Sequence, residues 1–259
     1  YLHGHRVHGC KLSAEERASR KRVLDGALDK RLQEPKFQRG VVIVANNDAR
    51  YQINKDRARL FASAAGTPLR WSRARDVASS DVLSHSTVTK ETKLRWLQYH
   101  DRDTGDLYGM LPLAVGMPVA LTDHLDRSVK ALLRGRVGVV HSMQWADGAL
   151  QPKMVWLLFE NASWRLPGTS LNGLYPIEAV RRAWHLDRRR PKPVLKVMRS
   201  QLGVGPAFAI TGHGSQGKTL PAGIVDLLID KRTNITHGGV ATSRFQCRED
   251  VLILRPFPN

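Results

Sequence analysis

The sharpest chemical spacing in the chain is Gly212-His213-Gly214-Ser215-Gln216-Gly217-Lys218-Thr219, two glycines around four residues followed by Lys and Thr. That is the pattern of a phosphate-binding loop. In such a loop backbone N–H groups wrap the phosphates, a lysine such as Lys218 neutralises them, and a hydroxyl such as Thr219 holds magnesium at the start of a helix. An acidic magnesium ligand, Asp226 or Asp230, would complete an independent nucleotidase built on Gly212, Gly217, Lys218 and Thr219. Against that reading, Pro221 falls in the first turn of the required helix, and few residues follow to supply the remaining strands of a nucleotide domain. His3, His5 and His8 have the spacing of metal ligands, but they read as a solvated tail, and no metal site is expected in this chain. His237-Gly238-Gly239 is shaped like a lipase oxyanion loop, yet the nucleophile elbow it needs is missing, because His213 stands where its first glycine would fall. Cys247 beside Arg248 is a candidate reactive thiol whose simpler reading is structural.

The elements that must position these residues follow from patterning. The continuous β-branched run Val41-Val42-Ile43-Val44 predicts a strand buried on both faces of a parallel sheet. A helix follows directly, capped at Asp48, with Ile53, Leu60, Phe61 and Ala64 as its apolar stripe and Gly66 at its end. Upstream, Ser13 and Glu16 have capping-box spacing and predict an amphipathic helix over 13–32. Between Gly105 and Arg190 short β-like runs, Pro118 to Leu121, Val137 to Ser142 and Lys153 to Phe159, predict a small barrel. The polar stretch from Asp187 to Pro193 reads as a basic linker, after which Pro206 to Thr211, Ile224 to Ile229 and Val251 to Leu254 resume the strand pattern. The barrel therefore reads as an insertion in a sheet domain.

Charge bounds the partner. Among 259 residues, 41 Lys and Arg stand against 23 Asp and Glu, a formal charge of +18 that favours a polyanion. Apolar runs such as Met154 to Phe159 are far short of the roughly 18 residues a membrane-spanning helix needs, so no membrane partner is expected. Two cysteines, Cys10 and Cys247, fit a reducing compartment, and a first residue Tyr1 suggests a piece of a longer chain.

From Pro206 on, the run Pro-Ala-Phe-Ala-Ile-Thr with His213, Ser215-Gln216-Gly217 and Thr219-Leu220 resembles motif V of superfamily-one DNA helicases of the petite-integration-frequency and RecD type. Val240-Ala241-Thr242-Ser243-Arg244, then Arg248-Glu249-Asp250 and Val251 to Leu254, is similar to motif VI of the same family. Leu113 to Leu121 and Arg134 to Gly138 resemble its inserted barrel. Ile43 to Asn54, with Asn47, Arg50 and Asn54, resembles the opening of its second motor domain. The family usually has lysine where Gly214 stands and glutamine where Lys218 stands, and its Gln-Leu-Tyr before motif VI is shortened here to Gly239. On this view the phosphate-loop pattern is an accident of two departures within motif V.

The resemblance implies an α/β fold: a RecA-like parallel-sheet domain, the second motor domain, with an inserted small β-barrel. It implies residues 1–107 as a linker helix and the first part of that domain, 108–195 as an Src-homology-3-like barrel, and 196–259 as the remainder with motifs V and VI. ATP and Mg2+ would be held mostly by an N-terminal RecA-like domain of the same full-length chain, with this chain inactive alone. Arg244 would be an arginine finger, with Gln216 and Gly217 on the ATP side. Thr211, His213, Ser215, Arg188, Arg189 and Arg190 would meet single-stranded and forked DNA, with Trp145, Trp164 and Trp184 as stacking candidates, at least two of them expected in the core. The expected protein is a monomeric 5′ to 3′ helicase of DNA repair, recombination or telomere maintenance, in nucleus or mitochondrion if eukaryotic. A non-catalytic nucleic-acid-binding remnant and the Lys218 nucleotidase are the alternatives.

Overall fold

The computed structural model describes residues 30–78, 88–186, 195–227 and 236–255. His3, His5, His8, Arg188, Arg189, Arg190, Asp230, the side chain of His237 and all but the end of the helix expected over 13–32 lie outside the described residues. The first elements are α1 (Pro35–Gln38), β1 (Val41–Val44), α2 (Asn47–Ala64), β2 (Arg70–Arg73), β3 (Arg75–Ala78) and α3 (Lys90–Trp96). Strands follow: β4 (Met110–Leu113), β5 (Pro118–Leu121), β6 (Val137–Gln144), β7 (Met154–Leu158), β8 (Leu174–Ile177) and β9 (Ala179–Leu186). The last are β10 (Leu195–Leu202), β11 (Val204–Pro206), β12 (Ala209–Thr211), β13 (Gly223–Asp226), α4 (Thr236–Thr242) and β14 (Val251–Arg255). They form two compact units, one drawn from the chain up to Asn47 and from Ile210 on, the other Asp48–Ala209.

The first unit is built on a four-stranded sheet in the order β12-β1-β13-β14. β1 pairs β13 in parallel, and β13 pairs β14 in parallel. Burial on both faces explains the unbroken apolar run of β1, where Val42, Ile43 and Val44 are all buried. Ile43, Val225, Leu227, Ala241 and Phe245 form its core. After β1 the chain returns first to one side of that strand, as β12, and then to the other, as β13, which creates a topological switch point beside β1.

In the second unit α2 buries Tyr51, Asn54, Ala58 and Ala62, not the stripe expected of it: Leu60 is 68% exposed. Two small alanines let the helix sit close, and Asn54 is buried because it is fully used. Its Nδ2 donates to the Ala209 carbonyl at 3.1 Å, and its Oδ1 accepts from the Ala209 N–H at 2.8 Å. A polar residue thus occupies the centre of the apolar face and clamps the first residue of β12. The left-handed Gly66 (φ 61°) follows the helix as expected.

The small barrel expected over 108–195 takes the form of an open antiparallel sheet in the order β11-β5-β6-β7-β8; among the described residues nothing pairs β11 with β8 to close it. β9 stays out of that sheet and pairs along its whole length with β10, which also pairs β3. A second structural feature that patterning misses holds this three-stranded sheet. Arg199 on β10 is fully buried; it donates to both carboxylate oxygens of Asp76 at 2.8 and 2.7 Å, and to Thr104 Oγ1 and the Trp96 and Leu107 carbonyls. Its neighbour Gln201, also buried, bonds the Ser72 hydroxyl and carbonyl and the Tyr108 carbonyl.

Candidate functional site

In parallel α/β sheets ligands meet the carboxyl ends of the strands at the switch point. Here those ends are Val44, Thr211 and Asp226, and the loop after β12 carries most of the residues expected to do chemistry. The Gly212 N–H donates to the Val44 carbonyl at 3.0 Å, which fastens the loop to β1. The Thr211 hydroxyl accepts from the Gly214 N–H at 3.1 Å and so caps a single 3-10 turn over His213–Ser215. Ser215 is fully buried, with its hydroxyl donating to the Gly212 carbonyl at 2.6 Å. It shapes the loop from within, while His213, Gly214, Gln216 and Gly217 face solvent. Gly217 sits at φ 71°, a backbone that favours glycine.

This geometry differs from that of a phosphate loop. The N–H groups of Gly214, Ser215, Gln216 and Lys218 are turned onto Thr211, Gly212, His213 and Ser215, so they do not converge on an outside anion. Nor does a helix begin after Thr219: residues 218–227 pass through a bridge at Leu220 directly into β13. Without converging N–H groups and a helix terminus behind them, the anion-binding device is absent from this loop. Asp226, the candidate magnesium ligand, is buried and takes both Nε and Nη2 of Arg255. The cleft bounded by Val44, Ala45, Gly212, Asp226, Gly238 and Ala241 measures about 10 Å3, room for at most one water. That cleft therefore does not enclose a nucleotide and its metal, and among the described residues no three His, Cys, Asp or Glu side chains gather as a metal site would require.

The two segments that resemble motifs V and VI do meet. The Leu220 N–H donates to the Arg244 carbonyl at 2.9 Å, and Leu220 bridges Phe245 in parallel. This brings the exit of the Gln216-Gly217 turn beside the end of α4. The Arg244 guanidinium donates from Nε to the Val240 carbonyl at 3.0 Å and from Nη2 to the Ser243 hydroxyl at 2.8 Å, so it rests on the last turn of α4 and satisfies a carbonyl there. Downstream, Lys36 on α1 donates to the Glu249 carbonyl at 2.9 Å and to Asp250 at 3.0 Å, which anchors the turn that leads into β14. Cys247 is exposed and precedes that turn.

The second unit carries a polar cluster of which the sequence singled out only Arg50. Arg50 Nη2 meets both oxygens of the buried Asp101, at 3.0 and 2.8 Å, and His100 Nδ1 lies 2.7 Å from the same carboxylate. Burial by itself would raise the Asp101 pKa, but the bonds and charges of His100 and Arg50 outweigh it and hold the carboxyl below its ordinary range. Tyr51, stacked on Tyr108 and tilted against the His100 ring, is pushed up to about 12, first by burial and then by Asp101. Of the stacking candidates, Trp184 is buried against Trp96 and Val197, Trp164 packs against Phe159 and Tyr175, and Trp145 lies half-buried under the Arg70 guanidinium at 5.0 Å.

A parallel-sheet α/β unit with its loops gathered at the carboxyl ends of the strands defines the class. Comparison with solved structures is more specific. The chain superposes on a Pif1 helicase from Candida albicans with a TM-score of 0.58 at 16% identity, covering 94% of this chain and 50% of that one. A structure of two coordinating Pif1 helicases at forked duplex DNA gives 0.51 at 16% identity, over 94% of this chain and 47% of that one. A Bacteroides Pif1 helicase in complex with ADP-AlF3 and single-stranded DNA gives 0.51 at 14% identity, over 96% and 52%. The chain shares its fold with these Pif1 helicase structures. It spans about half the length of the chains it matches. No protein-family model and no curated protein sequence matches it.

Proposed function

We propose that the chain is the second motor half of an ATP-dependent DNA helicase that moves 5′ to 3′ on single-stranded DNA. The observation that supports the reading is the contact between the two motif-like segments, Leu220 N–H to Arg244 carbonyl, where they lead into the amino ends of the parallel strands β13 and β14. In this role Arg244 leaves the end of α4 and adds its fixed charge to a nucleotide held by a preceding RecA-like domain, which supplies the phosphate loop and magnesium ligands. Thr211 and His213 meet the phosphates of the tracking strand, and the turn over His213–Ser215 couples them to the nucleotide edge through Gly217 and Leu220. In this reading the open sheet of β5 to β8 is the counterpart of the family's inserted barrel. The DNA and nucleotide in the related complexes support this assignment of ligands. Two glycines inside the seven-residue α4 favour the non-catalytic remnant as the second reading, because they weaken the helix that carries Arg244.

DNA-stimulated ATP hydrolysis by this chain, beside a Lys218→Ala variant, separates the readings. The expected result is no turnover in either, with single-stranded DNA still bound; turnover that disappears with Lys218→Ala would return the nucleotide to the loop at Gly212. In a full motor that includes a phosphate-loop domain, Arg244→Ala should retain nucleotide affinity and lower kcat by roughly 10³-fold or more. An unchanged kcat there would leave the remnant reading standing.

A further inference from the structure

The outward face of the β3-β10-β9 sheet takes no part in the reading above. Strand register sets Arg75, Ser200 and Arg181 side by side in one row, and Val77, Met198 and Ala183 in the next. The opposite face holds Arg199 and its partners, so the two sides of this sheet have different work. Arg75, Arg181 and Ala183 are exposed, and Val77 is 50% exposed, an apolar residue left open in mid-strand. Clefts of about 620 and 430 Å3 share Arg75, Val77 and Gln151; the larger adds Arg73, Lys93 and Leu150, and the smaller adds Arg181 and Met198. Both volumes fall in the roughly 300–1,000 Å3 range of pockets that take organic ligands. Among the described residues lining them the one acid is Asp76, and its carboxylate is turned inward onto Arg199 at 2.7 Å.

We propose that this sheet face binds single-stranded nucleic acid. Arg75, Arg181 and Lys93 take the phosphates, and the strip of Val77 and Met198 takes the flat faces of bases. A duplex hides those faces, and an acidic peptide carries charge without them, so an unpaired strand is the occupant whose chemistry matches both rows. The site lies wholly within the Asp48–Ala209 unit and needs no ATP turnover.

Fluorescence anisotropy of the full chain with a labelled oligodeoxythymidine, over a range of salt, tests it. Arg75→Gln with Arg181→Gln should weaken binding about tenfold and flatten the slope of log K against log salt by about 1.4, since each single-strand phosphate contact contributes about 0.7. Val77→Ser with Met198→Ser should weaken binding with the slope unchanged. Arg127→Gln with Arg165→Gln, exposed arginines elsewhere in the same unit, should alter neither. Thermal melting of each variant confirms that it is folded. The proposal is overturned if the Arg75/Arg181 variant behaves like the Arg127/Arg165 control, if the chain binds no oligonucleotide, or if polyglutamate displaces the strand at equal charge concentration. Loss of the Arg75/Arg181 effect with oligonucleotide still bound overturns this face alone, whereas turnover that disappears with Lys218→Ala overturns the motor reading alone.

Discussion

A buried guanidinium keeps its place only when its donors and its charge are answered, and Arg199 meets that demand with five bonds to Asp76, Thr104, Trp96 and Leu107. Asp76 is exposed by only 2% of its side chain, so truncating its partner strands a carboxylate in the interior. Arg199→Ala should destabilise the chain by about 3–5 kcal/mol, whereas Arg199→Met combined with Asp76→Leu should recover most of that loss, because breaking a buried pair costs more than replacing it. Urea denaturation of the two variants decides the matter; a loss below about 1 kcal/mol in Arg199→Ala would mean that water reaches Asp76. Arg244 is the contrasting case. Its two bonds go to its own helix and to a neighbouring hydroxyl, contacts that exchange readily with solvent. Arg199 is locked, whereas Arg244 can be redirected, which the proposed finger role would require.

At the level of elements, two glycines show how opposite demands arise in one unit. On β13 an added Cβ at Gly223 would lie 2.5 Å from the Val41 carbonyl oxygen and 2.9 Å from the Phe245 ring, so the strand contact itself depends on its absence. In α4 an added Cβ at Gly239 would meet nothing within 4 Å. Gly239→Ala should therefore stabilise by up to about 1 kcal/mol and firm the helix that leads to Arg244, while Gly223→Ala should destabilise by about 1–3 kcal/mol through forced separation of β1 and β13. Thermal melting reads both; a stabilised Gly223→Ala would contradict the close approach. The same contrast explains what patterning reveals. β1, β14 and the end of α2 at Gly66 are legible because a β-branched run and a helix-ending glycine are local signals. The buried face of α2 is not, since Asn54 is chosen by Ala209, far away in the chain. Thr211 and His213 are legible as a motif, but the inward turn of Ser215 depends on a bond to Gly212 that no spacing encodes. The three-stranded sheet joins β3 to β10 across the intervening sheet, and the open edges of β11 and β8 are equally non-local.

For the whole molecule the governing quantity is charge. A formal excess of +18 on 259 residues gives a long-range attraction for any polyanion, independent of which loop or sheet face makes the final contact. Buried pairs such as Arg199–Asp76 remove equal numbers of both signs, so the surplus belongs to the side chains that remain, including Arg75 and Arg181 on one sheet face. A strand bound by such a surface releases condensed counterions, and its affinity must fall linearly in log K against log salt. If four to six phosphates are neutralised, the slope is about −3 to −4 and affinity drops roughly 50- to 300-fold between 50 and 200 mM salt. Oligonucleotide titrations at four or five salt concentrations measure this directly. A slope near zero would show that the excess charge lies away from the bound strand and would remove the electrostatic basis for reading this fold as a DNA-tracking one. A slope in the expected range that flattens in Arg75→Gln with Arg181→Gln, and holds in Arg127→Gln with Arg165→Gln, would instead place phosphate contacts on the sheet face of the second unit.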